Sequence, residues 1–123
     1  VMLALNCETD FVANTPDFEG LVRDIAMHIA AAKPRFATRE EVTEEILAKE
    51  REIFAHQAKE SGKPDNIVEK IVTGKMEKFY EGNCVLEQAF IKDNSVSVGE
   101  LIKQKIALLG ENINIGNFSR FEI

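Results

Sequence analysis

The chain has 123 residues, of which 45% are apolar and 29% charged, the balance of one folded domain rather than of a disordered segment. Fifteen Lys and Arg against twenty-one Asp and Glu leave a net charge of −6, which argues against nucleic acid or an anionic membrane as the main partner. No apolar run approaches the ~20 residues of a membrane-spanning helix, and Cys7 and Cys84 have neither disulfide-framework nor Cys-x-x-Cys spacing, which points to a reducing, cytosol-like compartment.

In chain order, residues 1–7 are apolar and free of breakers and read as a short buried strand. Because the chain opens in mid-strand at Val1-Met2-Leu3, a preceding segment is expected. Thr15-Pro16-Asp17 combines a capping hydroxyl, a proline at the first helical position and an acid in the first turn. Phe18, Leu21, Val22, Ile25, Ala26 and Ile29 then recur at helical spacing and Pro34 stops the run, which predicts a helix over 16–32.

Thr38-Arg39-Glu40-Glu41 has capping-box spacing and predicts a short turn, followed by a helix over 43–61 with Ile46, Leu47, Ile53, Phe54 and Ala58 on one face. Gly62 reads as its left-handed cap, and Pro64 opens a third helix carrying Ile67, Val68, Ile71, Val72, Met76 and Phe79 as far as Gly82. Residues 84–91 read as a second strand, with Lys92-Asp93-Asn94-Ser95 as its turn. Ser97-Val98-Gly99-Glu100 opens a further helix with Val98, Leu101, Ile102, Ile106 and Leu109 inward and Gly110 as its stop. Ile113, Ile115, Phe121 and Ile123 alternate with polar residues, a half-buried strand bulged near Gly116. The order β, three helices, β, α, β predicts an α+β fold: a small three-stranded antiparallel sheet covered on one face by helices. Its open edge would suit pairing with a second copy, so a homodimer is expected.

The chemistry is sparse. The glycines are scattered and build no phosphate loop. Cys7, Cys84, His28 and His56 would be the only soft metal ligands, and no two have finger-like spacing. Nothing marks Cys7 as an activated nucleophile, and Glu40-Glu41 and Glu44-Glu45 read as charges favoured at helix N-termini. The expectation is a binding protein that is not an enzyme and needs no metal or cofactor.

One segment fits no periodic pattern: Asn6-Cys7-Glu8-Thr9-Asp10-Phe11-Val12-Ala13-Asn14, between the first strand and the first helix. Phe11 has two readings. It folds back as a hydrophobic staple and joins the core, the commoner fate of a loop aromatic, or it stands exposed beside a carboxylate as a wedge for a partner.

Asn6-Cys7-Glu8-Thr9-Asp10-Phe11-Val12 resembles the signature of the elongation factor Ts family, bacterial and organellar exchange factors for elongation factor Tu. Ile25-Ala26-Met27-His28-Ile29-Ala30 with Pro34, Ser61-Gly62-Lys63-Pro64, Leu86 to Lys92, Gly110-Glu111-Asn112-Ile113 and Arg120-Phe121-Glu122 match the same family in the same order, so the resemblance spans nearly the whole chain. It is to the core, or dimerisation, domain in its short single-copy form over residues 1–123, without the small helical domain that precedes it in family members. Ala89 departs from the family's usual proline. Gly116-Asn117 stands where basic residues are common, and Ser119 stands where some relatives carry a cysteine, which removes an inter-chain disulfide through that position.

The resemblance implies guanine-nucleotide exchange on elongation factor Tu, a GTPase, in translation elongation, without a cofactor and in a bacterial cytoplasm or an organelle matrix. It implies a partner-binding set of Thr9, Asp10, Phe11 and Val12, with His28 and the stretch Phe90-Ile91-Lys92. Asp10 and Phe11 would enter the GTPase beside its magnesium and phosphate elements. His28 on its own reads almost equally as a helix-face packing residue. The alternative for the whole chain is a structural homodimerisation module without exchange activity of its own.

Overall fold

Local capping signals set most of the helix boundaries in the computed structural model, which describes residues 1–123. Strand β1 (Met2–Asn6) leads through a one-turn helix α1 (Asp10–Ala13) into α2 (Pro16–Ala32). The Thr15 hydroxyl accepts a hydrogen bond from the Phe18 N–H at 3.2 Å, and Pro16 occupies the first turn, as the sequence predicts. A 3₁₀ turn (Arg39–Glu41) precedes the helical pair α3 (Glu44–Glu60) and α4 (Asp65–Asn83). The expected Thr38 box forms differently: Thr38 makes no capping bond, and Glu41 instead accepts from the Ala37 N–H at 2.9 Å. Gly62 and Gly110 both adopt the left-handed conformation predicted for them, with φ of 78° and 75°.

The second half departs from expectation. Residues 84–91 do not form one strand. Cys84 bridges Phe36, Val85–Glu87 is a 3₁₀ turn, and only β2 (Ala89–Phe90) is extended, pairing antiparallel with β3 (Asp93–Ser97) around residues 91–92. The turn therefore lies two residues earlier than expected, and Asp93 to Ser95 belong to a strand. The cause is competition for backbone partners: the Val85 and Leu86 N–H groups bond to the carbonyls of Phe36 and Ala37, after α2, rather than to a sheet neighbour. Helix α5 (Val98–Leu109) then leads to β4 (Asn114–Ser119).

The predicted three-stranded sheet is accordingly replaced by two separate two-stranded antiparallel sheets, β1–β4 and β2–β3. In the first, Ala4 faces Asn117 and Leu5 faces Ile115, so Gly116 is the extra residue of a bulge, where the sequence places it. Leu3, Leu5, Ile115 and Phe118 turn toward the helices, while Met2, Ala4 and Asn117 stay exposed on the other face.

Two apolar cores result. The larger gathers Val12, Phe18, Leu21, Ile25, Ile29, Val85, Phe90, Val98, Ile102 and Ile113 between α2, α5 and the β1–β4 sheet. The smaller holds Val42, Leu47, Met76, Phe79 and Cys84 under the α3–α4 pair. Ile53 and Ile67, expected on the inward faces of α3 and α4, are exposed, because each of these two helices has only the other to lean on along most of its length. Arg39 ties the pair to the rest: it bonds Glu77 at 3.1 Å and Glu87, and its guanidinium lies 4.3 Å from the centre of the Tyr80 ring.

Candidate functional site

The corner between β1 and α2 is built from short-range hydrogen bonds and one distant carboxylate. Thr9 caps α1, its hydroxyl accepting from the Val12 N–H at 3.4 Å. At the other end of this single turn, Asn14 donates from its side chain to the Asp10 carbonyl at 2.9 Å, and the Thr15 hydroxyl donates to the Val12 carbonyl at 2.7 Å. Glu111, from the chain after α5, accepts from the N–H groups of Glu8 at 3.1 Å and Thr9 at 2.9 Å and from the Thr9 hydroxyl at 2.5 Å.

This geometry decides between the two readings of Phe11. Successive residues of a helix point about 100° apart, and at this corner the Phe11 and Val12 side chains part ways. Val12 enters the main core, and Phe11 is left 89% exposed next to the exposed Asp10. The staple is therefore Val12, and the ring is displayed. Val12, expected among partner-contacting residues, is buried in the chain itself and anchors the turn that displays its neighbour.

The second expected segment is also divided. His28 is fully buried on the inner side of α2. Its Nδ1 accepts the Ile91 N–H at 3.3 Å, so its Nε2 carries the proton and donates to Gln88 Oε1 at 2.8 Å. Gln88 in turn donates to the Gly82 carbonyl at 2.8 Å. Burial pushes the imidazole pKa below its ordinary value, against a smaller upward pull from Gln88. His28 is thus buried in the isolated chain and holds the 90–92 turn on α2, the packing role that the sequence allowed it almost equally. Phe90 is buried in the core as well, whereas Ile91 is 44% exposed and Lys92 reaches across to Asp24 at 2.6 Å.

The accessible expected residues therefore form two patches rather than one: Thr9, Asp10 and Phe11 at the start of α2, and Ile91 with Lys92 beside Asp24 and His28. At 1.5 Å per residue, α2 separates them by roughly 14–20 Å. A second exposed aromatic, Phe121, is 84% exposed beside Arg120, which donates to the Ala30 carbonyl at 3.2 Å. Sequence reasoning did not single out Glu111, which stands in no periodic pattern that announces a role, and it placed Phe121 and Ile123 in a half-buried strand; β4 instead ends at Ser119, and both side chains are exposed.

No three His, Cys, Asp or Glu side chains come together as a metal cluster. The Cys84 thiol is pushed up to about 11 by burial, reinforced by the Glu87 charge, and sits inside the smaller core, far from nucleophile behaviour. No helix is long and apolar enough to cross a membrane. What the arrangement offers chemically is a rigid surface with a displayed ring beside a carboxylate.

Comparison with known proteins agrees with the resemblance. A family model described as "Elongation factor TS" matches residues 19–123. Proteins named "Elongation factor Ts" are 54% identical in Fervidobacterium nodosum, 53% in Solibacter usitatus and 54% in Moorella thermoacetica, each over all 123 residues and thus across the Phe11 corner. The chain spans 62%, 58% and 61% of these relatives, about three fifths of their length. With a family model covering most of its length and relatives aligned from its first residue to its last, the chain belongs to the elongation factor Ts family.

Proposed function

We propose that this chain acts as the core of a guanine-nucleotide exchange factor for elongation factor Tu, with Asp10 and Phe11 as the element that disturbs the GTPase's magnesium and phosphate site. The observation that carries this reading is the exposure of the Phe11 ring on a corner whose backbone is tied on every side. Magnesium offsets phosphate charge, so a group that loosens the metal loosens GDP directly. Ile91 and Lys92 supply a second contact along α2, and Thr9 holds the corner's N-terminal edge. The process is a coupling of two binding equilibria without covalent chemistry: by whatever ratio the factor weakens GDP, GDP weakens the factor. Two free cysteines fit a reducing site of action such as the bacterial cytoplasm.

Release of a fluorescent GDP analogue from elongation factor Tu, followed by stopped flow with this chain and its Phe11→Ala variant, tests the reading. Truncating a central interface aromatic typically costs about 2 kcal/mol or more, roughly thirtyfold, and a loss of that size is expected. Acceleration that survives the substitution unchanged would sink the proposal.

A second reading, a homodimerisation module, is favoured by the exposed outer face of β1–β4, where Met2 is 75% exposed and both outer strand edges are unpaired. Absence of any acceleration at saturating wild-type chain, together with a concentration-dependent dimer in sedimentation, would leave this reading in place of the first.

A further inference from the structure

We propose that Glu111 is a positioning residue for the Phe11 corner, a clasp reaching from the end of α5 that fixes the direction in which the ring is presented. The inference rests on the exchange-factor reading and deepens it. Three observations support it. Both carboxylate oxygens are engaged with the corner: Oε1 accepts from the Glu8 and Thr9 N–H groups, and Oε2 from the Thr9 hydroxyl. No Lys, Arg or His pairs with Glu111, so the carboxylate is dedicated to this task. Finally, the chain is fixed on both sides of it. Gly110 at φ 75° donates to the Ile106 carbonyl at 2.8 Å, and Ile113, two residues on, is buried in the main core.

The route from Glu111 to the ring is short. By donating its proton to Glu111, the Thr9 hydroxyl keeps its lone pairs for the Val12 N–H and is set as the cap of α1. A four-residue helix cannot hold itself together, since nucleation costs more than one turn returns. Phe11 makes no inward packing of its own, so its direction depends on the backbone of that turn. Without the clasp, residues 8–9 lose their fixed acceptor and the ring samples more directions, an ordering cost that partner binding must then meet.

The test is a double-mutant cycle with a backbone probe. Affinity for nucleotide-free elongation factor Tu and acceleration of GDP release are measured for Glu111→Ala in the wild-type and Phe11→Ala backgrounds. Amide hydrogen exchange at Glu8 and Thr9 and the thermal midpoint are followed for each. With Phe11 present, Glu111→Ala is expected to weaken binding roughly tenfold, the scale of losing charge-assisted hydrogen bonds. In the Phe11→Ala background it should change binding little, because both substitutions act through one ring. Exchange at Glu8 and Thr9 should speed up while the thermal midpoint moves only slightly. Glu111→Gln, which keeps one acceptor oxygen, should fall between wild type and Glu111→Ala. An equal loss in both backgrounds, or unchanged exchange at Glu8 and Thr9, overturns the clasp. If the wild-type chain neither binds nor accelerates release, the exchange-factor reading fails, and amide exchange at these two residues alone decides whether Glu111 holds the corner.

Discussion

A phenyl ring held in water forgoes about 1.5–3 kcal/mol that burial would return, and Phe11 forgoes it in the isolated chain. Because the ring contributes to neither core, Phe11→Ala should leave chemical denaturation of the free chain within about 0.5 kcal/mol of wild type. That stability measurement separates a lost contact with the partner from a damaged fold. His28 is the opposite case. To accept a second proton, the imidazole must give up the Ile91 N–H bond at Nδ1 and carry a charge in the core. Its folded pKa lies below the ordinary 6.5 because of burial. Between 6.5 and that lowered value the unfolded chain binds a proton that the folded chain refuses. Stability is therefore full above 6.5 and falls on acidification, with a limiting slope of about 1.4 kcal/mol per pH unit. Urea denaturation at pH 7 and pH 5.5 should show this loss in the wild type, and His28→Gln should remove its share of the slope. A wild-type slope unchanged by His28→Gln would show that the ring titrates freely. Neither role could be read from residue type: Phe11 and Val12 are both apolar, and the partners of His28, Gln88 and Ile91, lie 60 and 63 residues along the chain.

At the scale of elements, α2 and α5 begin and end where their sequences say, because caps and left-handed glycines act over four or five residues. Strand β2 is where this logic stops. Residues 84–91 are apolar enough for a strand, yet their N–H groups are claimed by the turn after α2, and what is extended shrinks to Ala89–Phe90. Gly99 makes the same point energetically. Helix propensity alone favours Gly99→Ala by up to about 1 kcal/mol. A Cβ at this position, however, would stand 2.9 Å from the Leu86 carbonyl oxygen, a backbone atom that cannot swing aside. The crowding wins: the substitution should destabilise by about 1–3 kcal/mol in chemical denaturation, and a stabilised variant would refute the close packing of α5 on the 3₁₀ turn. The Phe11 corner is also an element-scale object. Its Thr15 cap is legible in sequence, but the Thr9 cap of α1 was not read there, and the Glu111 clasp joins residues 102 apart.

For the molecule as a whole, unequal cores predict unequal stability. A cluster of ten buried apolar residues joins α2, α5 and the β1–β4 sheet, whereas the cluster under α3 and α4 holds five, tied to the remainder by the Arg39 network and the Cys84 bridge. Local opening should follow this division. Native-state hydrogen exchange is expected to show α3 and α4 amides opening at lower free energy than those of α2 and α5; a single shared value would mean that the two cores unfold as one.

The amino-acid order was enough for what depends on near neighbours: the turns at Gly62 and Gly110, the long helices, the bulge at Gly116 and the α+β class all rest on caps, glycines and periodicity within a few residues. It also carried the family, since the matching stretches are contiguous. Which of Phe11 and Val12 faces water, the burial of His28 and Phe90, the split into two small sheets and the hold of Glu111 on the corner depend on contacts between distant segments. Those are settled by competition for core space and for backbone partners, and that competition is resolved only when the whole chain packs.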